Sequence, residues 1–280
     1  MKKTLLIAAA ALAAGVISSQ AQVYSQNIVG YVNLTCNAGF TTLNTPLDVI
    51  SPDLLNTNNT TNILANVYNN TLGDGPLDAS QLYTWTGTTY KVYLFDANPA
   101  DAAALGQTFT GITDVNGNFV TPPTLGNGTG YYLKYSQISG FPTNYIATVA
   151  GSVRGVTSTT ISNSVAITVN PVISLIGSGL PLGGGLLTDL QLTNLLSQGV
   201  LDGDEIQIPK LNVAGNLAGY TVYLFDSNPA DAAALGQTYT GITDANGNFV
   251  TQPILPVGAS FLFQNPNGVA LNWTQVLNIQ

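Results

Sequence analysis

Apolar and polar residues alternate with a period of two along much of the chain, and the apolar positions are filled largely by β-branched and aromatic side chains. "NIVGYVNLT" (27–35), "SQLYTWTGTTYKVYLF" (80–95), "SVAITVNPVISLI" (164–176) and "YTVYLF" (220–225) carry this pattern, separated by Gly, Asn and Pro. Alternation at this period puts every second side chain on one face of a strand, so each segment predicts a strand with one buried face. Many short strands with turn residues between them predict an all-β fold, an antiparallel sandwich or barrel.

Helical signals are few. In "NPADAAALG" (98–106) Asn98 fits a cap, Pro99 the first helical position, Asp101 the first turn and Gly106 the end, and Asn228 to Gly236 repeat each of these. "TDLQ" from Thr188 has the capping-box form and predicts a second short helix starting there.

The repetition is general. "VYLFDANPADAAALGQTFTGITDVNGNFVTPP" (92–123) and "VYLFDSNPADAAALGQTYTGITDANGNFVTQP" (222–253) differ at four of 32 positions, Ala97/Ser227, Phe109/Tyr239, Val115/Ala245 and Pro122/Gln252. The match fades upstream, to "TNILA" (61–65) against "TNLLS" (193–197) and Leu77-Asp78 against Leu201-Asp202. Two β domains follow, 22–147 and 148–280, each with one short helix, a leader (1–21) preceding them. Cys36 is the only cysteine, so no internal disulfide forms and each copy is expected to hold itself together by its own core. Cys36 itself is expected to be a buried thiol.

Charge and leader narrow the compartment. "MKKTLLIAAAALAAGVISSQAQ" pairs two lysines with a short apolar run and small residues at 19 and 21, the form of a secretory signal peptide cut before Gln22. Export to the periplasm, the cell envelope or the medium is the expectation. Without the leader, four basic residues (Lys91, Lys134, Arg154, Lys210) stand against fourteen acidic ones, a net charge of −10. That balance argues against nucleic acid or an anionic membrane as partner. The uncharged tract 155–188 is broken by polar residues and by "GSGLPLGGG", which suits a tight loop rather than a lipid span or a phosphate cradle. This tract is also the expected edge for self-association.

The opening and closing motifs carry a resemblance. "VYSQNIVGYVNLT", the "VYLFD" strand and "LPVGASFLFQNPNG" resemble a family of uncharacterised secreted β-rich proteins from verrucomicrobial and related bacteria. The first copy departs from the closing motif with "LGNGTGYYLKYSQISG". What the resemblance implies is location and architecture.

Histidine is absent, which removes the usual general base, the Ser-His-Asp arrangement and the commonest zinc ligand. One Glu, Glu205, and thirteen Asp leave a two-carboxylate glycoside hydrolase open, although most of these Asp neighbour Asn, Gly or Pro, where carboxylates serve turns and caps. Asp114, Asn116 and Asn118, with Asp244, Asn246 and Asn248, alternate as oxygen ligands of a calcium loop would, Asp96 or Asp101 completing the set. Their glycine comes fourth rather than sixth, and an EF-hand's terminal Glu is missing. Asn-Gly between "ITD" and "FVT" instead predicts a tight hairpin turn, both residues tolerating positive φ. No cofactor is expected, calcium at these loops remaining the alternative. Tyr83, Trp85 and Tyr90 form a candidate carbohydrate strip on a sheet face, the other reading being packing aromatics, as for Trp273. The function expected is a secreted, non-catalytic structural or binding protein whose partner is an extracellular glycan or envelope protein. A carbohydrate-binding module or a hydrolase is the alternative.

Overall fold

The computed structural model describes residues 29–44, 46, 48–49, 78–96, 98–123, 125–126, 128–136, 144–153, 162–196, 203–266 and 268–278. The leader, "TNILA", Arg154 and Leu201-Asp202 lie outside them. The first half contributes β1 (Val29–Asn37), β2 (Gly39–Asn44), β3 (Asp48–Val49), β4 (Gln81–Trp85), β5 (Tyr90–Phe95), β6 (Ile112–Thr113), β7 (Gly130–Tyr135) and β8 (Asn144–Ser152). The second contributes β9 (Ser162–Val169), β10 (Val172–Gly177), β11 (Gly184–Gly185), β12 (Glu205–Leu211), β13 (Leu217–Phe225), β14 (Ile242–Asp244), β15 (Ile254–Leu255), β16 (Ser260–Asn265) and β17 (Leu271–Asn278). Helices α1 (Pro99–Ala104), α2 (Thr193–Leu196) and α3 (Pro229–Ala234) are short. Strands dominate the described residues and the helices there are short, so the fold is all-β, and every ladder among these residues is antiparallel.

Each half builds a five-stranded sheet of the same order, β2-β7-β4-β5-β6 and β10-β16-β12-β13-β14. The registers correspond as well: Asn44 faces Gly130 as Gly177 faces Ser260, and Trp85 faces Tyr90 as Pro209 faces Tyr220. Beside each sheet lies a ribbon, β1 with β8 and β9 with β17. Ala147 lies inside β8, opposite Leu34, so the last strand of the first copy runs on to Ser152.

The helices at 98–106 and 228–236 form as their signals require, Asn98 accepting from the Ala100 N–H and Asn228 from the Ala230 N–H. The helix expected from Thr188 does not. Residues 186–189 form turns, Gln191 takes a positive φ of 61°, and α2 begins at Thr193. The N–H groups of Leu187 and Thr188 donate to Gln252 and that of Gly185 to Asp189, so the capping signals serve a loop tied to the facing segment. "GSGLPLGGG" is likewise a tightly turning, partly buried loop, with Ser178 and the Gly179 N–H held by Gln275 Oε1.

The two copies do not keep separate cores. Leu34, Leu133 and Phe95 of the first and Ile167, Phe263 and Trp273 of the second belong to one buried cluster, and Cys36 is buried within it. Trp273 is fully buried against Phe261, its indole N–H donating to Leu190 O at 2.9 Å. The contact between copies is reciprocal. The Asn44 N–H donates to Gly258 O (2.6 Å) and the Gly177 N–H to Gly128 O (2.9 Å). A Cβ on Gly128 would lie 2.7 Å from Ile167, and one on Gly258 would lie 2.2 Å from Leu34. Leu34 and Ile167 each stand ten residues before Asn44 and Gly177. The expected self-association edge is partly covered by the same contact, because Thr129 bridges to Ile176 of β10.

Gly117 and Gly258 share a φ of +81°, yet only Gly258 faces another side chain. Alanine at either position meets the left-handed strain of about 1–2 kcal/mol, and at Gly258 an overpacking cost of about 1–3 kcal/mol adds to it. In urea unfolding, Gly258→Ala is expected to lose clearly more stability than Gly117→Ala. Equal losses would show that the copies do not depend on this approach.

Candidate functional site

Aromatic side chains of the first sheet are drawn into the seam between the copies. Tyr83, Trp85, Tyr90, Tyr132 and Phe40 share one face of that sheet, in register across β4, β5, β7 and β2. Their partners come from the second copy, as Leu175, Leu262, Ile173 and Tyr220 complete a second, smaller apolar cluster. Tyr83 packs on Phe40 (5.2 Å between centroids), and Tyr90 lies between Trp85 (4.8 Å) and Tyr132 (5.3 Å). The Tyr90 hydroxyl donates to Tyr132 Oη at 3.3 Å and stands 3.5 Å from the hydroxyl of Tyr220, its own counterpart in the second copy. Burial raises the pKa of Tyr83, Tyr90 and Tyr132 above that of free tyrosine, because the phenolate would lose its water.

The candidate strip therefore divides. Tyr83 and Tyr90 are half-buried packing residues of the seam. Trp85, also half-buried, donates its indole N–H to Ile173 O of the other copy at 3.1 Å and lines a cavity.

Two cavities occupy equivalent places. One, of about 170 Å³, lies among Asn37, Phe40, Thr41, Tyr132, Pro209 and Leu211; the other, of about 490 Å³, among Trp85, Thr86, Thr168, Asn170, Ile173 and Ser174. Hairpin length sets the difference. Past the pair Pro209–Tyr220, β12 and β13 continue to Leu211–Leu217, and the turn beyond reaches over to β2, Gly215 O accepting from the Phe40 N–H at 2.8 Å. Past the equivalent pair Trp85–Tyr90, β4 and β5 close at once through a Thr86 N–H to Thr89 O bond, and Trp85 bonds to Ile173 O of β10. The second cavity is the larger for want of those residues. None of the described residues lining it carries a charged side chain.

At the repeated decapeptide the structure forms a hairpin loop. The Asp114 N–H donates to Asn118 O and the Gly117 N–H to Asp114 O, with the same bonds at Asp244, Asn248 and Gly247. Only Gly117 and Gly247 take positive φ; Asn116 and Asn246 do not. The loop is thus a turn followed by a left-handed glycine, not one with both residues at positive φ. Asp114 Oδ1 accepts from the N–H groups of Asn116 (2.9 Å) and Asn118 (3.0 Å), and Asp244 Oδ1 repeats this at 2.8 and 2.9 Å. The N–H of Asn118, above all, holds the Asp114 carboxyl below the usual aspartate range, as that of Asn248 does for Asp244. Asn118 and Asn248 also bind Gln107 and Gln237, whose other amide atom accepts from Phe119 and Phe249 N–H.

Other carboxylates are occupied similarly. Asp96 accepts from the Asn98 N–H, Asp101 from Asn98 Nδ2, Asp189 from the Gly185 N–H and Glu205 from Gln207 Nε2. Asp96 and Asp101 thus serve the cap of α1. Among the described residues no group of three or more His, Cys, Asp or Glu side chains is placed to hold a metal ion, and no helix is long and apolar enough to cross a membrane.

Thr168, Asn170 and Ser174, which line the larger cavity opposite Trp85, carry no signal in the sequence. They lie some 80 residues from Trp85 and meet it only through packing of one copy on the other. No family model, curated protein or solved structure matches this chain.

Two expectations follow. A carboxyl with depressed pKa stabilises the fold above the ordinary aspartate pKa and loses that contribution as pH falls through its folded value. On acidification below about pH 4, the melting temperature of the native chain is expected to fall more than that of an Asp114→Ala/Asp244→Ala double variant. In the same assay millimolar calcium against EDTA is expected to give no shift. Calcium bound at a hundred times Kd would add about 2.7 kcal/mol, and a rise that vanished in the double variant would make both loops metal sites.

The tyrosines act at the other extreme. Raised folded pKa values leave stability intact below about pH 10, the unfolded value, and erode it above, where the unfolded chain ionises first. Melting scans between about pH 8 and 11 are expected to show a fall that Tyr132→Phe reduces; an unchanged slope would place these hydroxyls in water.

Proposed function

We propose that this chain is an exported, non-catalytic binding or structural protein of the cell envelope or extracellular space. The observation that carries the reading is how its carboxylates are used: Asp96, Asp101, Asp114, Asp189 and Asp244 accept from amide N–H groups of their own turns and caps. General acid and base work needs carboxyl groups aimed at a ligand and shifted toward neutral pH, whereas Asp114 and Asp244 are shifted downward. The larger of the two cavities is built from hydroxyl, amide, backbone and apolar groups, a lining suited to holding a molecule rather than transforming it. The leader-like residues 1–21 and the surplus of acidic over basic side chains support export and a partner other than nucleic acid.

Fractionation of cells producing an epitope-tagged chain is expected to recover it from medium, periplasm or envelope, shortened by the leader. Recovery of full-length chain from cytoplasm alone would refute export. Release of reducing sugar from common polysaccharides by the purified chain, abolished on replacing one carboxylate, would refute the non-catalytic assignment.

A further inference from the structure

We propose that the 490 Å³ cavity between the Trp85–Gly87 end of the first copy and the Thr168–Leu175 segment of the second is a binding site for a neutral saccharide. The inference rests on the reading of the chain as a non-catalytic binding protein and names the ligand class and the place. The volume falls within the roughly 300–1,000 Å³ of small-molecule sites.

Ligand class follows from the lining. A charged ligand entering this cavity would surrender water without meeting an opposite charge, since all the described residues around it are uncharged. A purely apolar ligand would strand the polar groups instead. Ala166, Thr168 and Asn170 are exposed and alternate with the buried Val165, Ile167 and Val169, so they share one side of the chain. The Thr168 hydroxyl and the Asn170 side-chain amide have no hydrogen-bond partner among the described residues, and both can donate and accept. Facing them is Trp85, whose one N–H is already committed to Ile173 O and whose remaining ring surface is apolar. Neutral donors and acceptors opposite an indole match a sugar, with hydroxyls on its rim and C–H groups on its faces.

The rim carries a second sign. Val172, between Pro171 and Ile173 of the lining, holds a φ of +76° while 64% exposed. A β-branched residue at positive φ is a genuine outlier, and such strain gathers at ligand sites. The corresponding residue of the first copy, Gly39, takes the same left-handed conformation without strain, beside the smaller cavity that the longer hairpin lines.

The test is tryptophan fluorescence of the purified, leader-free chain titrated with short neutral gluco-, xylo-, manno- and N-acetylchito-oligosaccharides, and with polygalacturonate and chitosan fragments as charged controls. Trp273 is fully buried, so a ligand-dependent change reports Trp85. Saturable binding of at least one neutral series is expected, lost in Thr168→Arg, which places a cation in the cavity from an exposed position and leaves the melting temperature unchanged, and roughly tenfold weaker in Trp85→Phe when followed by calorimetry, since that variant lacks the reporting indole. Silence across the panel, by fluorescence and by calorimetry, overturns the proposal, as does preference for charged over neutral sugars. Neutral sugar binding that persists in Thr168→Arg also overturns the site while leaving the binding-protein reading intact, and cytoplasmic recovery of the chain sinks that reading independently.

Discussion

The architecture depends on how closely two copies of one sheet approach each other. At Gly128 and Gly258 the backbone of each copy lies so near Ile167 or Leu34 of the other that no Cβ fits. That proximity lets the Gly177 and Asn44 N–H groups reach carbonyls across the seam, merges the buried residues into one cluster and brings Trp85 to Ile173. The bonds themselves are each worth about 0.5–1.5 kcal/mol net. Burial of Leu34, Ile167, Tyr132 and their neighbours, at about 1.5–3 kcal/mol for each large apolar side chain, dominates. The glycines add little energy directly; they set the distance at which that burial occurs.

A contact in which residue i meets j and j's counterpart meets i's is the signature of a two-fold pair. Here both partners are in one chain, which releases the residues nearest the axis from being identical. Gly130 and Ser260 occupy equivalent positions and face each other, a Cβ on Gly130 falling 2.6 Å from that of Ser260. Gly177 faces Asn44, its equivalent, with no space for a second side chain. A symmetric dimer would have to place the same residue twice at such points, either clashing or leaving a gap. Fusion allows small against large, and Asn44 uses the room to donate to Ser178 O. Tyr90 and Tyr220, identical in both copies, show the alternative, touching through their hydroxyls.

Much of this was legible in local pattern. Alternation located the strands, and Asn98-Pro99 with its duplicate located two helices, because caps and proline act through bonds to the next turn and need no tertiary partner. Thr188 misled for the opposite reason: Gln252, 64 residues on, takes the N–H groups that the capping signals would have organised. For Tyr83 and Tyr90 local pattern left a sugar-binding strip and packing aromatics both open and could not show the cover, since what covers them, Ile173 and Tyr220, belongs to the other copy. Thr168 and Asn170 were invisible on the same ground.

Where the copies agree and where they differ have distinct physical meanings. The near-identical segment folds upon itself, Gln107 and Gln237 joining helix end to hairpin loop through the same bonds. Its residues are fixed by partners within the segment, so the two copies can remain alike wherever they sit. The seam imposes no such likeness, because each residue there answers to the other copy. The hairpin that ends at Trp85 in one copy runs on past Pro209 in the other, and this one difference leaves the first cavity small and the second large, with an indole at its edge. Duplication supplied the frame; loss of symmetry at the seam supplied the larger of its two equivalent cavities, and with it the proposed ligand site.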